Sequence, residues 1–154
     1  MIVNERVVSY INSLDRGNSD ICNIIEKEAI EDQVPIIRKE MGNLLKVLLK
    51  LKQPKSILEV GTAVGYSSIL MSENMPVDCK IVTIENYDKR IPIARNNIKR
   101  AGKEDCIQLI EGDAMEVLKE LEGPFDFIFM DAAKGQYINY LPEVLRLMPH
   151  GGLL

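Results

Sequence analysis

The order of apolar and polar positions divides the chain into a helical first third and a remainder in which strands and helices alternate. In the first third, apolar residues recur at the helical spacing of three and four over Asn4–Leu14, Ile21–Ala29 and Ile36–Leu51. Ser19 or Asp20 follows a polar turn and is placed to cap the second of these helices. We expect the three helices to lie over a ligand crevice as a cap.

From Ser56 onward, short apolar runs alternate with amphipathic segments. The runs show little polar alternation, which is typical of strands buried on both faces of a parallel sheet. The alternation predicts an α/β protein built from right-handed crossovers. The predicted strands are Ile57–Val60, Ile81–Glu85, Ile107–Glu111 and Phe125–Met130. The predicted helices are Ser67–Glu73, Asp88–Arg100, Ala114–Leu121 and Tyr137–Leu147, of which the last contains Pro142 and should kink there or shift its start.

The final residues predict the opening of a fifth strand. Gly151-Gly152 closes a turn, and Leu153-Leu154 begins an apolar run. A sheet that stopped on a newly started strand would leave an unpaired apolar edge. We therefore interpret the C-terminal strands as missing from this sequence. The predicted organisation is one domain, with a helical cap at residues 1–55 and an open, mostly parallel sheet core at residues 56–154.

Composition sets limits on the function. The 154 residues, 46% of them hydrophobic, suffice for one domain, and no run approaches the ~18 apolar residues of a membrane span. Three cysteines, odd in number and far apart, indicate a reducing cytoplasm and argue against a zinc site. The single histidine, His150, lies in a Pro-His-Gly turn, which argues against a Ser-His-Asp triad or a histidine-rich metal centre.

The net charge of −4 is unevenly distributed. Residues 1–55 carry nine Lys/Arg and eight Asp/Glu, whereas residues 56–154 carry ten and fifteen. A basic stripe falls on the third helix and its exit, at Arg38, Lys39, Lys46, Lys50, Lys52 and Lys55. Such a stripe is usually the solvated face of a helix, although it is compatible with RNA binding.

The most informative stretch is Ser56–Ser68, which predicts a buried strand, a glycine-bearing turn and a helix start. In an open parallel sheet the ligand crevice lies at the carboxyl ends of the strands, where this turn falls. The run Gly61-Thr-Ala-Val-Gly65 lacks the middle glycine of the dinucleotide fingerprint. Glu59 precedes the turn and would repel a phosphate but hold a cationic amino group. The turn therefore suits an amino-acid end better than a pyrophosphate, unless it is only a tight connection.

A second carboxylate extends this interpretation. Glu85 ends the second strand about 20 residues after the turn, where an acid can accept hydrogen bonds from both ribose hydroxyls. S-adenosylmethionine (SAM) combines a free ribose with a methionine zwitterion. Glu59 and Glu85 together therefore predict a SAM site.

At this point the sequence resembles the cation-dependent class I SAM O-methyltransferases, the family of catechol and caffeoyl-CoA O-methyltransferases and their bacterial relatives. The resemblance covers nearly the whole chain and rests on four motifs: Glu-Val-Gly-Thr-Ala-Val-Gly-Tyr-Ser from Glu59, Thr-Ile-Glu ending at Glu85, Glu-Gly-Asp-Ala from Glu111, and Phe-Asp-Phe-Ile-Phe-Met-Asp-Ala-Ala-Lys-Gly-Gln-Tyr from Phe125. It implies a Rossmann-like class I methyltransferase fold.

The resemblance also implies a role for each matching residue. The turn with Gly61 and Gly65, together with Ser67, would hold the methionine end of SAM, and Ile37 would contact its carboxylate side through the backbone. Asp113 and Ala114 would flank the adenine. Asp131 would bind Mg²⁺ or another divalent cation near the methyl donor, and Lys134 would be the general base. The family completes its metal site with an Asp-Asn pair beyond the Gly-Gly-Leu-Leu run, after the last residue of this sequence.

The resemblance implies methyl transfer to an oxygen nucleophile but leaves the acceptor open. The features of the N-terminal segment and the Asp-Ala-Ala-Lys-Gly-Gln-Tyr run are most similar to the bacterial branch that methylates 5-hydroxyuridine at the tRNA wobble position. A catechol-like small molecule is the alternative acceptor, and a non-catalytic SAM-binding module is the alternative class. Relatives are often dimers, so a cytoplasmic homodimer is expected.

Overall fold

The computed structural model describes residues 4–154, without the side chain of residue 134. Its N-terminal part contains three helices, α1 (Glu5–Ser13), α2 (Asp20–Glu31) and α3 (Lys39–Lys52). The strands are β1 (Ser56–Val60), β2 (Lys80–Glu85), β3 (Ile107–Glu111) and β4 (Phe127–Met130). The intervening helices are α4 (Tyr66–Asn74), α5 (Ile91–Arg100) and α6 (Ala114–Glu120), and a 3₁₀ turn (Lys134–Gln136) precedes α7 (Tyr137–Leu147).

The strands form one parallel sheet in the order β3-β2-β1-β4. Because β1 and β4 are neighbours while β2 and β3 extend the other way, the strand order reverses beside β1. A crevice at the carboxyl ends of the strands is expected at such a point. Leu153 forms a parallel bridge to Phe127 on the outer side of β4, as expected for the residue predicted to open a fifth strand.

Both faces of the sheet are buried, as the apolar runs predicted. Along β1, Ile57 packs into one hydrophobic cluster and Leu58 into the other. The first cluster lies between the sheet and helices α2 to α5, and the second lies between the sheet and helices α6 and α7. No helix among residues 4–154 has the length and apolarity that a membrane crossing requires.

Several predicted boundaries differ from the observed ones, and three of the differences have a clear local cause. The third helix begins at Lys39 rather than Ile36, because residues 36–38 remain extended and Arg38 occupies the N-cap position. Helix α5 begins at Ile91 rather than Asp88, because residues 88–90 form a turn. The Arg90 amide closes this turn by donating a hydrogen bond to the Tyr87 carbonyl at 2.8 Å. Strand β4 begins at Phe127, because the Phe125 amide bonds to the Leu147 carbonyl instead of to a strand.

Other local predictions are confirmed. The Ser19 side chain caps α2 by accepting a hydrogen bond from the Cys22 amide. Gly102 follows α5 with φ +63°, the left-handed conformation of a C′ glycine. Pro142 lies inside α7, whose observed bounds equal the predicted ones, so the proline does not displace the start of the helix.

Candidate functional site

A cavity of about 1090 Å³ opens at the carboxyl ends of β1, β2 and β4. The sheet side supplies turn and strand-end residues, and the N-terminal segment supplies a facing wall. The lining residues of the sheet side are Gly61, Ala63, Ile84, Glu85, Asn86, Tyr87, Arg90, Gly112, Ala114, Asp131, Ala132, Ala133 and Tyr140. Those of the facing wall are Val8, Pro35, Ile36, Ile37, Arg38, Glu40, Met41 and Leu44. Five of the residues singled out from the sequence therefore meet here: Ile37, Gly61, Glu85, Ala114 and Asp131.

The β1–α4 turn is held against its neighbours so closely that Gly61 has no room for a side chain. Gly61 has φ +103°, and a β-carbon there would lie 2.5 Å from the carbonyl oxygen of Asp131. The amides of Gly61 and Thr62 both donate to the carbonyl of Ile84, each at 3.1 Å. The floor of the cavity is therefore bare backbone, fixed to β2 on one side and to the end of β4 on the other.

The Glu85 carboxylate is oriented by backbone donors. Its Oε2 accepts the amide of Ala63 at 2.7 Å, and its Oε1 accepts the amides of Asn86 and Tyr87 at 3.1 and 3.0 Å. Three donors leave about one acceptor position free, since a carboxylate offers about four. The group is buried but lines the cavity. Glu85 is therefore preorganised to accept a hydrogen bond from a ligand hydroxyl.

Glu59 does not lie where the sequence interpretation placed it. Its side chain is fully buried in β1, on the sheet face toward α4, and does not line the cavity. It accepts hydrogen bonds from the hydroxyls of Ser67, Ser68 and Thr83. The structure therefore does not bring the Glu59 side chain to the cavity, because alternation along β1 turns it away from the crevice and under the turn.

Ser67, Gly65 and Asp113 also lie outside the lining. The hydroxyl of Ser67 is directed to Glu59, so it does not face the cavity. Gly65 takes φ +83° as the N-cap of α4, with no steric contact closer than 3.6 Å to an added β-carbon. Asp113 caps α6 by accepting the Met115 amide at 2.9 Å, while its neighbour Ala114 lines the cavity. The structure therefore supports a conformational role for Gly65 and a helix-capping role for the Asp113 side chain.

Asp131 lies at the cavity, at the carboxyl end of β4, and its amide bonds to the carbonyl of Val60 at 3.0 Å. Among the residues that the structure describes, no three His, Cys, Asp or Glu side chains cluster closely enough to hold a metal ion. One carboxylate does not provide the roughly octahedral oxygen shell that Mg²⁺ prefers. The described residues therefore do not fit a complete magnesium site. The Lys134 side chain lies outside the described residues, so its predicted role stays a prediction.

Several lining residues were not singled out from the sequence. Val8, Met41 and Leu44 present apolar side chains from α1 and α3. The sequence predicted that these helices cap a crevice, but not which of their residues would line it. Tyr87 and Arg90 lie in the loop after β2, with the Arg90 guanidinium 5.3 Å from the centre of the Tyr87 ring. Their position, two and five residues after Glu85, could have predicted that they line the cavity, because loops that follow strand ends face the crevice.

The fold and the cavity together define a class, the Rossmann-like α/β domains that bind a nucleoside-containing cofactor beside the first strand. Comparison with known proteins then identifies the family. The chain belongs to the O-methyltransferase family, whose model matches residues 19–154.

Individual relatives agree with this assignment. The chain is 36% identical to catechol O-methyltransferase from Niastella koreensis, over 97% of this chain and 71% of that protein. It is 38% identical to caffeoyl-CoA O-methyltransferase 1 from Eucalyptus globulus, over 73% of this chain and 48% of that protein. The solved structure of the O-methyltransferase TomG from Streptomyces achromogenes in complex with SAM superposes with a TM-score of 0.85 at 30% identity, covering 97% of this chain and 71% of TomG. The chain thus spans 71% of the first relative and about half of the second.

Proposed function

We propose that the protein transfers a methyl group from SAM to a hydroxyl oxygen of an aromatic acceptor. The observation that carries the proposal is Glu85, which is held by three backbone amides at the end of β2, lines the cavity and keeps about one acceptor position free. A ribose hydroxyl of SAM is the natural partner for this position. The bare backbone at Gly61 then lies on the side of the cavity toward β4, where the methionine end would be placed.

The remaining lining residues divide the cavity between cofactor and acceptor. Ala114 and the loop carrying Tyr87 and Arg90 surround the end near Glu85, which suits the adenine. Val8, Met41 and Leu44 form an apolar wall opposite the sheet. This wall excludes water from part of the site and suits the flat carbon face of an aromatic acceptor.

The reaction moves one methyl group and one proton. The acceptor oxygen forms a bond to the methyl carbon as the carbon–sulfur bond breaks, and the electron pair returns to sulfur to give S-adenosylhomocysteine (SAH). A phenolic hydroxyl has a pKa of about 10, so its proton must leave for efficient attack at neutral pH. We propose Lys134 as the group that accepts this proton. Asp131, beside the Gly61 turn, would face the same region.

Magnesium dependence is proposed with Asp131 as one ligand only. A divalent cation would stabilise the acceptor oxygen as an anion. The support for this is the family resemblance and the position of Asp131 at the cavity. The donor set of residues 4–154 does not complete a cation site, as described above.

For the acceptor, we propose a catechol-like small molecule first. The apolar wall of Val8, Met41 and Leu44 supports it, as do the names of the two relatives. The tRNA wobble 5-hydroxyuridine is the second candidate. Arg38 at the cavity edge and the exposed Lys39 and Lys50 support it, whereas Lys46 pairs with Asp15 and Lys52 donates to the Gly151 carbonyl.

We also propose a homodimer formed through an exposed apolar surface. Helix α1 buries none of its residues, although Val7, Tyr10, Ile11 and Leu14 lie along one face and are 45–65% exposed. Leu44, Val47 and Leu51 extend this surface along α3. Large contiguous apolar patches mark interaction sites, and two neighbouring helices can pack against the same pair in a second copy about a two-fold axis.

The test of the cofactor proposal is calorimetric titration with SAH, with and without MgCl₂. SAH binding without Mg²⁺ is expected, since Glu85 and the turn require no metal. Labelled SAM is then offered with catechol, with caffeoyl-CoA and with tRNA carrying 5-hydroxyuridine. Label transfer to a catechol but not to tRNA supports the first acceptor. SAH binding without transfer to any acceptor would leave only a cofactor-binding module, and absence of SAH binding would contradict the proposal.

A further inference from the structure

A network of buried hydroxyl groups lies directly beneath the Gly61–Gly65 turn. The Glu59 carboxylate accepts hydrogen bonds from Ser67 and Ser68, in the first turn of α4, and from Thr83 on β2. Thr83 is also 2.6 Å from the hydroxyl of Thr62, which belongs to the turn itself. All of these residues are buried, and none lines the cavity.

The direction of the hydrogen bonds follows from proton count. A hydroxyl has a single proton. Because Thr83 donates its proton to Glu59 at 2.6 Å, Thr62 must be the donor in the Thr62–Thr83 pair. The carboxylate is therefore the terminal acceptor of a chain that begins at Thr62. The same carboxylate holds the other end of the turn through Ser67 and Ser68.

We propose that Glu59 is a positioning residue for the cofactor's amino-acid end, acting through Thr83–Thr62 and through Ser67 and Ser68 rather than by touching the ligand. The turn between these two anchors carries Gly61 and Ala63, which do line the cavity. The inference rests on the proposal that this turn receives the methionine portion of SAM. Glu59 fixes the spacing between the turn and α4, and so fixes where the backbone amides of the helix start point.

The placement of a carboxylate here is costly for folding, which argues against a role in packing alone. Burial raises the pKa of Glu59 to about 7. The nearby charge of Asp131 also raises this pKa, whereas the hydrogen bonds from the three hydroxyls lower it. Hydroxyl and amide side chains could fill the same space without this penalty. Both oxygens of the carboxylate can accept hydrogen bonds from the three hydroxyls. A glutamine would have only one acceptor oxygen, and its NH₂ group would face a hydroxyl as a second donor.

The experiment compares two ligands that share the adenosine half. SAH carries the amino-acid end, whereas 5′-deoxy-5′-methylthioadenosine lacks it. For Glu59→Gln we expect the SAH affinity to fall about tenfold, the scale of losing a hydrogen bond to a charged group, and the methylthioadenosine affinity to change less than twofold. Thr83→Val, which is close to isosteric, breaks one arm of the network and should lower SAH affinity about threefold with the same selectivity.

The matched control is Ser72→Ala. Ser72 lies in the same helix and is also buried, but its hydroxyl donates to the carbonyl of Ile69 and does not reach Glu59. Its SAH affinity should stay within twofold of wild type. If Glu59→Gln does not fold, as judged by its thermal transition, Thr83→Val decides the question.

Equal weakening of both ligands, or unchanged SAH affinity in both network variants, would overturn the inference. Amide hydrogen exchange of residues 61–68 in the ligand-free protein provides a readout that does not depend on the cofactor. Faster exchange in Glu59→Gln and Thr83→Val than in Ser72→Ala supports the positioning role, and equal exchange contradicts it. A wild-type protein that binds no SAH but shows this exchange difference would contradict the proposed function and leave the network's effect on the turn established.

Discussion

The N-terminal helices and the sheet core differ in where their apolar side chains lie. In α4, residues 66–72 are all buried beside the Gly61–Gly65 turn. In α1, a helix of the same length, no residue is buried, although its apolar residues follow the helical period. Helix α4 therefore has its apolar side chains covered, whereas α1 and the outer face of α3 expose apolar surface to a ligand or a partner.

This contrast assigns different tasks to the two parts. The residues proposed to orient the cofactor, Gly61 and Glu85, are fixed by backbone hydrogen bonds inside the core. The residues facing them, such as Val8 and Met41, are not buried, although α3 buries Leu45 and Leu49 on another face. Substitutions in the core should therefore alter cofactor affinity and stability together, and substitutions at these facing positions should alter acceptor use or assembly with little effect on either.

The largest effect is expected from Gly61→Ala. An added β-carbon would lie 2.5 Å from the Asp131 carbonyl oxygen, so the turn or the end of β4 must move. We expect the free energy of unfolding to fall by roughly 3 kcal/mol, from steric displacement together with the strain of a left-handed conformation. SAH binding should become undetectable by calorimetry. Thermal or urea unfolding measures the first effect.

The control for this prediction comes from the N-terminal segment. Gly17 has φ +80°, but an added β-carbon would meet nothing within 4 Å. Gly17→Ala should cost only about 1 kcal/mol, the strain alone, and leave SAH affinity unchanged. Similar losses in both variants would show that conformation, and not the approach of Asp131, makes glycine necessary at position 61.

The next largest effect is expected from Glu85→Gln. The glutamine amide group would place N–H donors toward the backbone amides that now donate to the carboxylate, and it would lose an acceptor for the ribose. The free energy of SAH binding should become less favourable by roughly 1–3 kcal/mol, which is a loss of affinity of about fivefold to 150-fold. Glu111→Gln is the control, because Glu111 is the register partner of Glu85 on β3 but is exposed and pairs with Arg95. Equal loss in both would remove Glu85 from the site.

The cofactor turn and the N-terminal helices also show what the sequence could and could not predict. The strand ends and the Gly61 turn were predictable, because buried strands produce apolar runs and a parallel sheet brings their carboxyl ends together. Glu59 was misplaced because its position depends on which face of β1 it occupies. In a strand buried on both faces, no alternation of polar residues indicates that face. The N-terminal helices were predicted to cap the crevice, but not that Met41 and Leu44 would line it, since a helical stripe does not reveal whether it covers a core or a cavity.

A pH dependence of stability should distinguish the buried carboxylate of the core from one at the edge of the N-terminal helices. The pKa of Glu59 is raised from 4.5 to about 7 by burial, so the folded state binds an extra proton between these values. The free energy of unfolding should therefore decrease as the pH rises from about 4.5 to about 7, by at most roughly 3 kcal/mol. In Glu59→Gln this decrease should be absent when unfolding is measured across that range.

Glu28 on α2 should behave in the opposite sense. The Arg100 guanidinium, 2.7 Å from its carboxylate, lowers the pKa of Glu28 below 4.5. Its stabilisation is therefore present above pH 4.5 and is lost as the pH falls through the lowered value. Because the pair is largely exposed, Glu28→Gln should have a small effect. A decrease in stability from pH 4.5 to 7 that survives in Glu59→Gln would mean that another group is responsible.

The smallest effect on the folded monomer is expected on the exposed face of α1. Tyr10 and Leu14 are 65% and 64% exposed. The double substitution Tyr10→Ser and Leu14→Ser therefore removes little buried area. It should change the free energy of unfolding of a monomer by less than about 0.5 kcal/mol. If two copies associate through this face, light scattering should show a dimer for wild type and a monomer for the double variant. The control is Val77→Ser, at a residue 97% exposed in the loop after α4 and outside this surface. A dimer that survives in the double variant would place the interface elsewhere, and a monomeric wild type would leave the apolar face of α1 to the acceptor or to another protein.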